Sequence, residues 1–290
     1  MIVWVLKAIG RIPLVWLHRV GAVLGWLVYW ASPTYAGRMR ENLLASGIGS
    51  ERARHDSLLK EAIAETGKGA LEILAVWFGP AETVEHMVVE SEGWEVVDVA
   101  RGRGKGVIFL TPHLGCFEMA GLYVGKRIPL TVLYRPPRRR WLEPYMNIGR
   151  GRLNSQLAPA NMKGVRMLYR ALSRGDAIGV LPDQVPGEGG EGVWADFFGR
   201  PAYTMTLVRR LQAASGAAVI MTFAQRLPHG RGYRMHVREV PTPAFSEDIL
   251  NREVEETVRR CPAQYLWSYN RYKRPTGAEP PPERGAGARR

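Results

Sequence analysis

The chain has 290 residues, a formal net charge of +13 and 46% hydrophobic residues, with nine tryptophans. This length suits one large domain with a full core, and so basic a balance indicates anionic partners: phospholipid surfaces, acidic proteins or nucleic acid. The two cysteines, Cys116 and Cys261, lie far apart without metal-type spacing. Neither a disulfide framework nor a zinc site is therefore indicated, and a reducing compartment fits.

The N-terminus is apolar and rich in tryptophan. Ile12 to Ala31 supplies about 20 mostly apolar positions, the length that crosses a bilayer, although His18 and Arg19 lie near its middle. The second half of the segment alone would suit a helix lying in the membrane interface. We expect residues 1–31 to be a membrane anchor, either a short span or an interfacial helix. A cleaved signal peptide and a buried core helix are the alternatives.

The region that follows divides into a helical part and an alternating part. Residues 35–90 carry apolar positions at mixed three- and four-residue spacings, which predicts helices. The predicted strands are 106–111, 130–134, 177–181, 217–224 and 233–240. The predicted helices are 115–126, 141–152, 164–174, 204–215 and a closing helix that follows its N-cap, Ser246.

This alternation predicts the fold class. Strands that alternate with helices are typical of a layered α/β domain, with a mostly parallel sheet flanked by helices. We assign the domain to residues 32–274. Residues 275–290 are rich in Pro, Gly and Arg, cannot form a core, and are predicted to be a disordered tail.

One segment, GVIFLTPHLGCFE at 106–118, combines a buried-strand pattern with a histidine and a carboxylate. His113 follows the strand, at the edge where open α/β sheets bind their ligands. On one continuous helix His113 and Glu118 would point about 140° apart, so they meet only if the chain turns at Leu114-Gly115. With that turn, Glu118 would accept the proton of one ring nitrogen and leave the other as a general base.

Two other interpretations of this segment remain open on the residues alone. His113 could be a strand-end histidine satisfied by a nearby glutamate. Cys116 could instead form a nucleophilic pair with the histidine, although a cysteine is more often a small buried hydrophobe.

The block TPHLGCFE resembles the H-x4-D/E motif of glycerolipid acyltransferases, and its Glu form resembles the late lauroyl/myristoyl acyltransferases of lipid A biosynthesis. Further blocks of that family follow in order: YRPPRRRWLEPYMNIGRGR at 134–152, GVLPDQ at 179–184, DFFGRPAYT at 196–204 and PAQYLWSYNRYKRP at 262–275. With RMREN at 38–42, the resemblance covers most of the chain. One departure is Trp267-Ser-Tyr-Asn-Arg271, where the family often has Trp-x-His-Arg, which bears on the acceptor rather than on the chemistry.

The resemblance implies a glycerolipid-acyltransferase-like fold and a role for four residues. His113 and Glu118 carry over as the catalytic pair, and Arg150 and Asp183 as further residues important for activity. We expect Arg150 to contact a phosphate of the donor or the acceptor, where a planar bidentate donor suits the anion. Asp183 would orient Arg150 or a second donor, unless it is a plain turn residue.

The resemblance also implies the reaction and its setting. A fatty acyl group would pass from acyl carrier protein to a hydroxyl of a lipid A precursor, at the cytoplasmic side of the bacterial inner membrane. A thioester is already activated, so a base and oxyanion donors suffice, and we expect neither a metal nor another cofactor. The expected partners are acyl carrier protein, the lipid acceptor and the membrane surface.

A basic stripe lies on the predicted helix 164–174 and just before it. Lys163, Arg166, Arg170 and Arg174 fall at spacings of three, four and four on one face, opposite an apolar face. We interpret this stripe as a docking site for acidic acyl carrier protein or for lipid phosphates, with a plain solvated face as the alternative.

Three other functions remain as alternatives. The first is acylation of another glycolipid or a lysophospholipid, with acyl-coenzyme A as a possible donor. The second is a thioesterase, in which water replaces the lipid hydroxyl. The third is a basic membrane or nucleic-acid binding protein without catalysis; the chain has no recognisable nucleic-acid motif, so we expect no nucleic-acid partner.

Overall fold

The computed structural model describes residues 2–137, 139–187, 190–241 and 245–282. Its helices, α1 to α11 in chain order, are Ile2–Ile9, Leu14–Ala31, Pro33–Ala45, Arg52–Phe78, Ala81–His86, Glu95–Gly102, Phe117–Arg127, Glu143–Arg150, Met162–Ser173, Leu207–Ser215 and Glu247–Arg260. Its strands, β1 to β9, are Val88–Glu92, Val107–Leu110, Leu130–Tyr134, Ser155–Pro159, Ala177–Val180, Gly192–Phe197, Arg200–Met205, Ala218–Arg226 and Tyr233–Val240.

Seven strands form one sheet in the order β1-β9-β8-β2-β5-β3-β4, and every neighbouring pair is parallel except β8 with β9. The central strands β2 and β5 are buried along their whole length. Continuous apolar runs such as Val-Ile-Phe-Leu are what a parallel sheet covered on both faces requires. The predicted α/β class with a mostly parallel sheet is confirmed.

All five predicted strands are present, and four further strands were missed. The predicted helical stretch 35–90 ends in β1, so the prediction of helix is wrong for its last residues. β1 and β4 are the two edge strands, where exposed side chains and Pro159 weaken the pattern. β6 and β7 form a separate hairpin whose two-residue loop, Phe198-Gly199, has positive φ at both positions.

The helix α2 packs unusually closely against the long helix α4. A Cβ added at Gly25 of α2 would lie 2.3 Å from the carbonyl oxygen of Ile63, and one at Gly67 of α4 would lie 2.0 Å from that of Gly21. The two helices therefore touch backbone to backbone, which only glycine permits. The opposite face of α2 is exposed and apolar, with side chains of Trp16, Val20, Val23, Leu27 and Trp30.

Of the residues that the structure describes, only Leu14–Ala31 form a helix long and apolar enough to cross a membrane. His18 lies within this helix but faces the protein, where its Nε2 is 3.0 Å from Oε2 of Glu72. The histidine is thus satisfied by a buried carboxylate and is not a polar group facing lipid.

Glu72 is the centre of a buried charged network. The Arg226 Nε donates to Glu72 Oε2 at 2.7 Å, and the Tyr233 hydroxyl donates to the same oxygen at 3.0 Å. Burial by itself raises the pKa of Glu72, but the charge and hydrogen bonds of Arg226, with those of His18, outweigh it and lower that pKa from the ordinary 4.5 to about 2. The network connects α2, α4, β8 and β9.

The C-terminal residues after Arg274 have neither helix nor strand up to residue 282. The indole N–H of Trp194 donates to the carbonyl oxygen of Glu279 at 2.9 Å, so this part of the chain lies against the β6–β7 hairpin. The rest of the predicted tail, 283–290, lies outside the described residues.

The predicted N-cap of α11 is confirmed, since the Ser246 hydroxyl accepts from the backbone N–H of Ile249.

Candidate active site

The candidate site lies at the carboxyl edge of the sheet, where β2 and β5 end side by side. The N–H of Thr111 donates to the carbonyl oxygen of Val180 at 3.0 Å, which continues the pairing one residue past β2. The loops after these two strands therefore meet. This is the edge at which parallel α/β sheets place their functional side chains.

His113 and Asp183 come from these two loops and form a close pair. The ring Nδ1 of His113 lies 2.8 Å from Oδ1 of Asp183, and the backbone N–H of His113 donates to Oδ2 at 2.9 Å. Burial raises the pKa of Asp183, but the charge and hydrogen bonds of His113 outweigh it and hold that pKa below its usual value. The ionised carboxylate therefore accepts the proton of Nδ1, which leaves the lone pair of the ring on Nε2.

The carboxylate that orients His113 is thus Asp183, and the predicted hydrogen bond from His113 to Glu118 is wrong. The expectation that Asp183 orients Arg150 is wrong as well. Glu118 belongs to the first turn of α7, and its carboxylate accepts from the Trp77 indole N–H at 3.0 Å and from Arg150. The Nε of Arg150 lies 3.0 Å from both oxygens of Glu118, a paired arrangement in a largely buried place.

The turn between His113 and α7 is fixed by its neighbours. Gly115 has a φ of +59°, and a Cβ there would lie 2.1 Å from the carbonyl oxygen of Ala224. The N–H of Gly115 donates to the carbonyl oxygen of Gln264, and the N–H of Leu266 donates to that of His113. The predicted turn at Leu114-Gly115 is therefore present, and the C-terminal block PAQYLW lies directly behind it.

Cys116 lies in this turn but is buried. Burial raises the pKa of its thiol well above the usual value, so the group stays protonated. A reactive cysteine needs a thiolate and access to substrate. Both observations count against the nucleophilic pair of Cys116 with His113.

An apolar slot opens beside the histidine, between α7 and the sheet. It is narrow, with a cavity volume of about 40 Å³, and it continues into an open mouth. Glu118 and Arg150 are the charged residues of its lining; the apolar part includes Phe109, Phe117, Leu122, Val124, Leu130 and Val132. The ring of Phe117 lies 4.9 Å from that of His113, centroid to centroid. An aliphatic chain would need the lining side chains to move apart, and in the slot it would then lie against Phe117, next to the histidine.

Gln184 is a site residue that the sequence interpretation missed. Its side-chain amide nitrogen lies 3.0 Å from Nε2 of His113, opposite the Asp183 contact. The residue is the last of the block GVLPDQ at 179–184, but a glutamine in a turn does not by itself indicate a catalytic role. Only its position one residue after Asp183 could have suggested it.

The arginines of the block at 134–152 have separate roles. Arg150 lines the slot, whereas Arg152 donates to the carbonyl oxygens of Trp77 and Gly79 at 2.9 Å. Those carbonyls belong to the end of α4, so Arg152 caps that helix.

The predicted basic stripe is exposed on α9 and at its end, over a buried face that includes Leu168 and Leu172. Its amphipathic character is confirmed. Arg174 pairs with Asp176 at 2.7 Å. Because α9 follows β4, it starts near the carboxyl edge of the sheet and runs away from it. Lys163 is therefore nearer to this edge than Arg166 and Arg170, and the role of the stripe in docking stays a prediction.

Comparison with known proteins gives a consistent set of relatives. A model of the bacterial lipid A biosynthesis acyltransferase family matches residues 1–274. The lipid A biosynthesis palmitoleoyltransferase of Escherichia coli (strain K12) is 28% identical over 251 residues, which are 84% of this chain and 76% of the relative. The lipid A biosynthesis lauroyltransferase of the same organism is 26% identical over 284 residues, 94% of this chain and 90% of the relative. The matched region contains every element that forms the site.

Proposed function

The chain belongs to the bacterial lipid A biosynthesis acyltransferase family, and on that premise we propose that it moves a fatty acyl group from acyl carrier protein to a hydroxyl of a lipid A precursor. That it is an acyltransferase follows from the family; the donor, the acceptor position and the mechanism are our proposal. The observation that carries the mechanism is the His113–Asp183 pair beside an apolar slot.

In this mechanism Nε2 of His113 is the general base. The proton of the acceptor hydroxyl moves to Nε2 while its oxygen attacks the thioester carbonyl carbon. The carbon–sulfur bond then breaks, and the thiolate leaves with the proton from the imidazolium. The carboxylate of Asp183 stabilises that imidazolium and keeps the ring in the required tautomer. No acyl-enzyme intermediate is needed.

The start of α7 supplies donors for the oxyanion. Phe117 and Glu118 are the first residues of the helix, so their N–H groups have no acceptor within it, and no side chain caps them. Such groups beside the base suit the negative oxygen of a tetrahedral intermediate. The positive end of the helix dipole adds to this effect.

Glu118 acts through Arg150 in this proposal. The paired contact holds the guanidinium at the charged part of the slot lining, where it can meet a phosphate of the donor or the acceptor. The motif glutamate would then be required because it positions Arg150. The indole N–H of Trp77 fixes the carboxylate from the other side.

The membrane and the donor protein meet different surfaces of the chain. We place residues 1–31 in the plane of the membrane surface, because α2 is docked on α4 from Leu14 to Gly25 and its end packs on the core through Trp26 and Tyr29. No Asp or Glu precedes Glu41, which suits anionic lipids. The surface is the cytoplasmic face of the inner membrane.

The acidic donor protein docks on the basic stripe of α9. Lys163, Arg166 and Arg170 are exposed, and Lys163 lies toward the catalytic edge. Attraction between these charges and an acidic partner accelerates encounter and weakens as salt is added.

Reconstitution of the full chain tests the proposal. Acyl carrier protein thioester and a lipid A precursor are supplied in detergent micelles, and mass spectrometry follows the acylated lipid. We expect His113→Ala to lower the transfer rate by about 10²–10⁴-fold. The exposed His86 of α5 gives a matched control, His86→Ala, with wild-type rates. Near-normal transfer by His113→Ala would contradict the mechanism, and the absence of acylated lipid with the wild type would contradict the function.

A further inference from the structure

The catalytic nitrogen of His113 is covered by a side chain that the mechanism above leaves unused. Asp183 accepts the proton of Nδ1, so Nε2 presents a lone pair. The group that faces this lone pair at 3.0 Å must therefore be a donor, which is the amide of Gln184. Two consecutive residues, Asp183 and Gln184, thus hold both nitrogens of one ring.

This contact has a direct chemical consequence. A lone pair that accepts an N–H from Gln184 cannot accept a proton from a substrate at the same time. The His113 side chain is only 14% exposed, which leaves little room for a second approach. A hydroxyl must therefore take the position of the Gln184 amide before His113 can act as a base.

The backbone beside Gln184 is fixed, so a movement of the side chain alone is enough. The N–H of the next residue, Val185, donates to the Tyr269 hydroxyl at 3.0 Å. On the other side, Asp183 is held by two hydrogen bonds from His113. Rotation of the Gln184 side chain would open Nε2 and leave the ring itself in place.

We propose that Gln184 is a further catalytic residue, which closes Nε2 of His113 until the acceptor hydroxyl displaces its amide and thereby withholds the base from water. This inference rests on the proposed function. A lipid acceptor has many other contacts with the protein to offset the displaced hydrogen bond, whereas a water molecule has few. The residue thus favours transfer over hydrolysis.

The reaction that Gln184 suppresses is hydrolysis of the donor. A water proton would move to Nε2 while the water oxygen attacks the thioester carbonyl carbon. The carbon–sulfur bond would break, and the products would be a free fatty acid and the thiol of the carrier. This reaction uses the same base as transfer, so it needs no further group.

The experiment compares hydrolysis and transfer in Gln184→Met, which keeps the size of the side chain and removes its donor. The full chain is given acyl carrier protein thioester with and without a lipid A precursor, and free fatty acid and acylated lipid are measured separately. Without acceptor, we expect the variant to release fatty acid about 10-fold faster than the wild type, the factor that one hydrogen bond supplies. The double variant with His113→Ala should lose this gain.

Two further variants serve as a second test and as a control. Gln184→Asn keeps the amide but is shorter, so it should also raise hydrolysis if Gln184→Met fails to fold. Gln156→Met, at an exposed position of β4, is the matched control and should behave as the wild type. An unchanged or lower rate of hydrolysis in folded Gln184 variants would overturn the proposal for Gln184. Retained transfer in His113→Ala would instead contradict the proposed mechanism, and the absence of acylated lipid with the wild type would contradict the proposed function.

Discussion

At the scale of single residues, two carboxylates near His113 have different partners. Asp183 contacts the imidazole ring and the backbone of His113, whereas Glu118 contacts Arg150 and Trp77. A group that fixes the tautomer of a base affects the chemical step. A group that positions Arg150, the arginine proposed to bind a phosphate, would affect the binding of substrate, so the two carboxylates are separable in kinetic experiments.

We predict that Asp183→Asn lowers kcat by about 10³–10⁴-fold, because an amide in place of the carboxylate can donate to Nδ1 and stabilise the wrong tautomer. Glu118→Gln should mainly raise the KM of the phosphate-bearing substrate, since it loosens Arg150. Steady-state kinetics on both variants separates these effects. A lower kcat with an unchanged KM in Glu118→Gln would show that Glu118 acts in the chemical step.

At the scale of secondary-structure elements, α7 covers the slot, and its small residues set the width of that space. Gly121 lines the slot, and a Cβ added there would have no heavy atom within 4 Å. A side chain at this position therefore begins in open space.

We predict that Gly121→Leu folds normally and shifts the donor preference toward shorter acyl chains, because the new side chain takes up part of the slot. The measurement is the transfer rate for a series of acyl carrier protein thioesters of increasing chain length. Gly102→Leu, at the exposed end of α6, is the matched control. An unchanged preference in Gly121→Leu would show that the acyl chain lies elsewhere.

The buried pair of Glu72 and Arg226 makes the assembly of α2, α4, β8 and β9 sensitive to acid. The pKa of Glu72 is about 2 in the folded chain and near 4.5 when unfolded, so its stabilising effect is complete above about pH 4.5. That effect, about 3 kcal/mol in the free energy of unfolding, is lost as the pH falls toward 2.

Glu72→Gln should accordingly lower the free energy of unfolding at neutral pH and flatten its pH dependence between 4.5 and 2, because the buried Arg226 loses one of its two carboxylate partners and keeps only Glu65. Urea unfolding followed by tryptophan fluorescence provides the measurement. The control is Glu90→Gln, since Glu90 forms an exposed pair with Arg234 that contributes little. Equal pH dependence in the two variants would contradict the assignment.

At the scale of the whole molecule, the apolar helix α2 and the turn between His113 and α7 are connected by one network of buried groups. The Glu72–Arg226 network includes His18 of α2, and Arg226 also donates to the carbonyl oxygen of Gly115 at 3.3 Å. The position of α2 and the geometry of the turn are therefore supported by the same buried groups. If α2 lies in the membrane surface as proposed, this arrangement holds the site at a fixed height above that surface.

We predict that the double variant Val23→Glu with Leu27→Glu weakens membrane attachment and keeps the fold. Both side chains are at least half exposed, at 60% and 50%, on the face of α2 that points away from α4. Carboxylates there oppose insertion among lipids. Sedimentation with vesicles of anionic lipid measures the effect, and Val99→Glu, exposed on α6, is the control. Persistent, salt-resistant pelleting of the double variant would contradict an interfacial anchor.

The sequence by itself determined the fold class, five of the strands and the candidate base, His113. Strands such as Val-Ile-Phe-Leu are buried on both faces, so their apolar runs identify them without further context. His113 follows such a strand, and the parallel topology alone brings it to the carboxyl edge of the sheet. The exposed basic stripe of α9 could also be predicted from the sequence, because its periodicity is a local property of the chain.

Only the tertiary structure decided which side chains meet. Asp183 and Gln184 reach His113 from about 70 residues away, because β2 and β5 are adjacent in the sheet although distant in sequence. Glu118 is close in sequence, yet its place in the first turn of α7 directs its carboxylate to Arg150. Spacing along the chain fixes local direction, whereas the partner of a buried charge depends on which strands and helices pack together, and that is set by the whole fold.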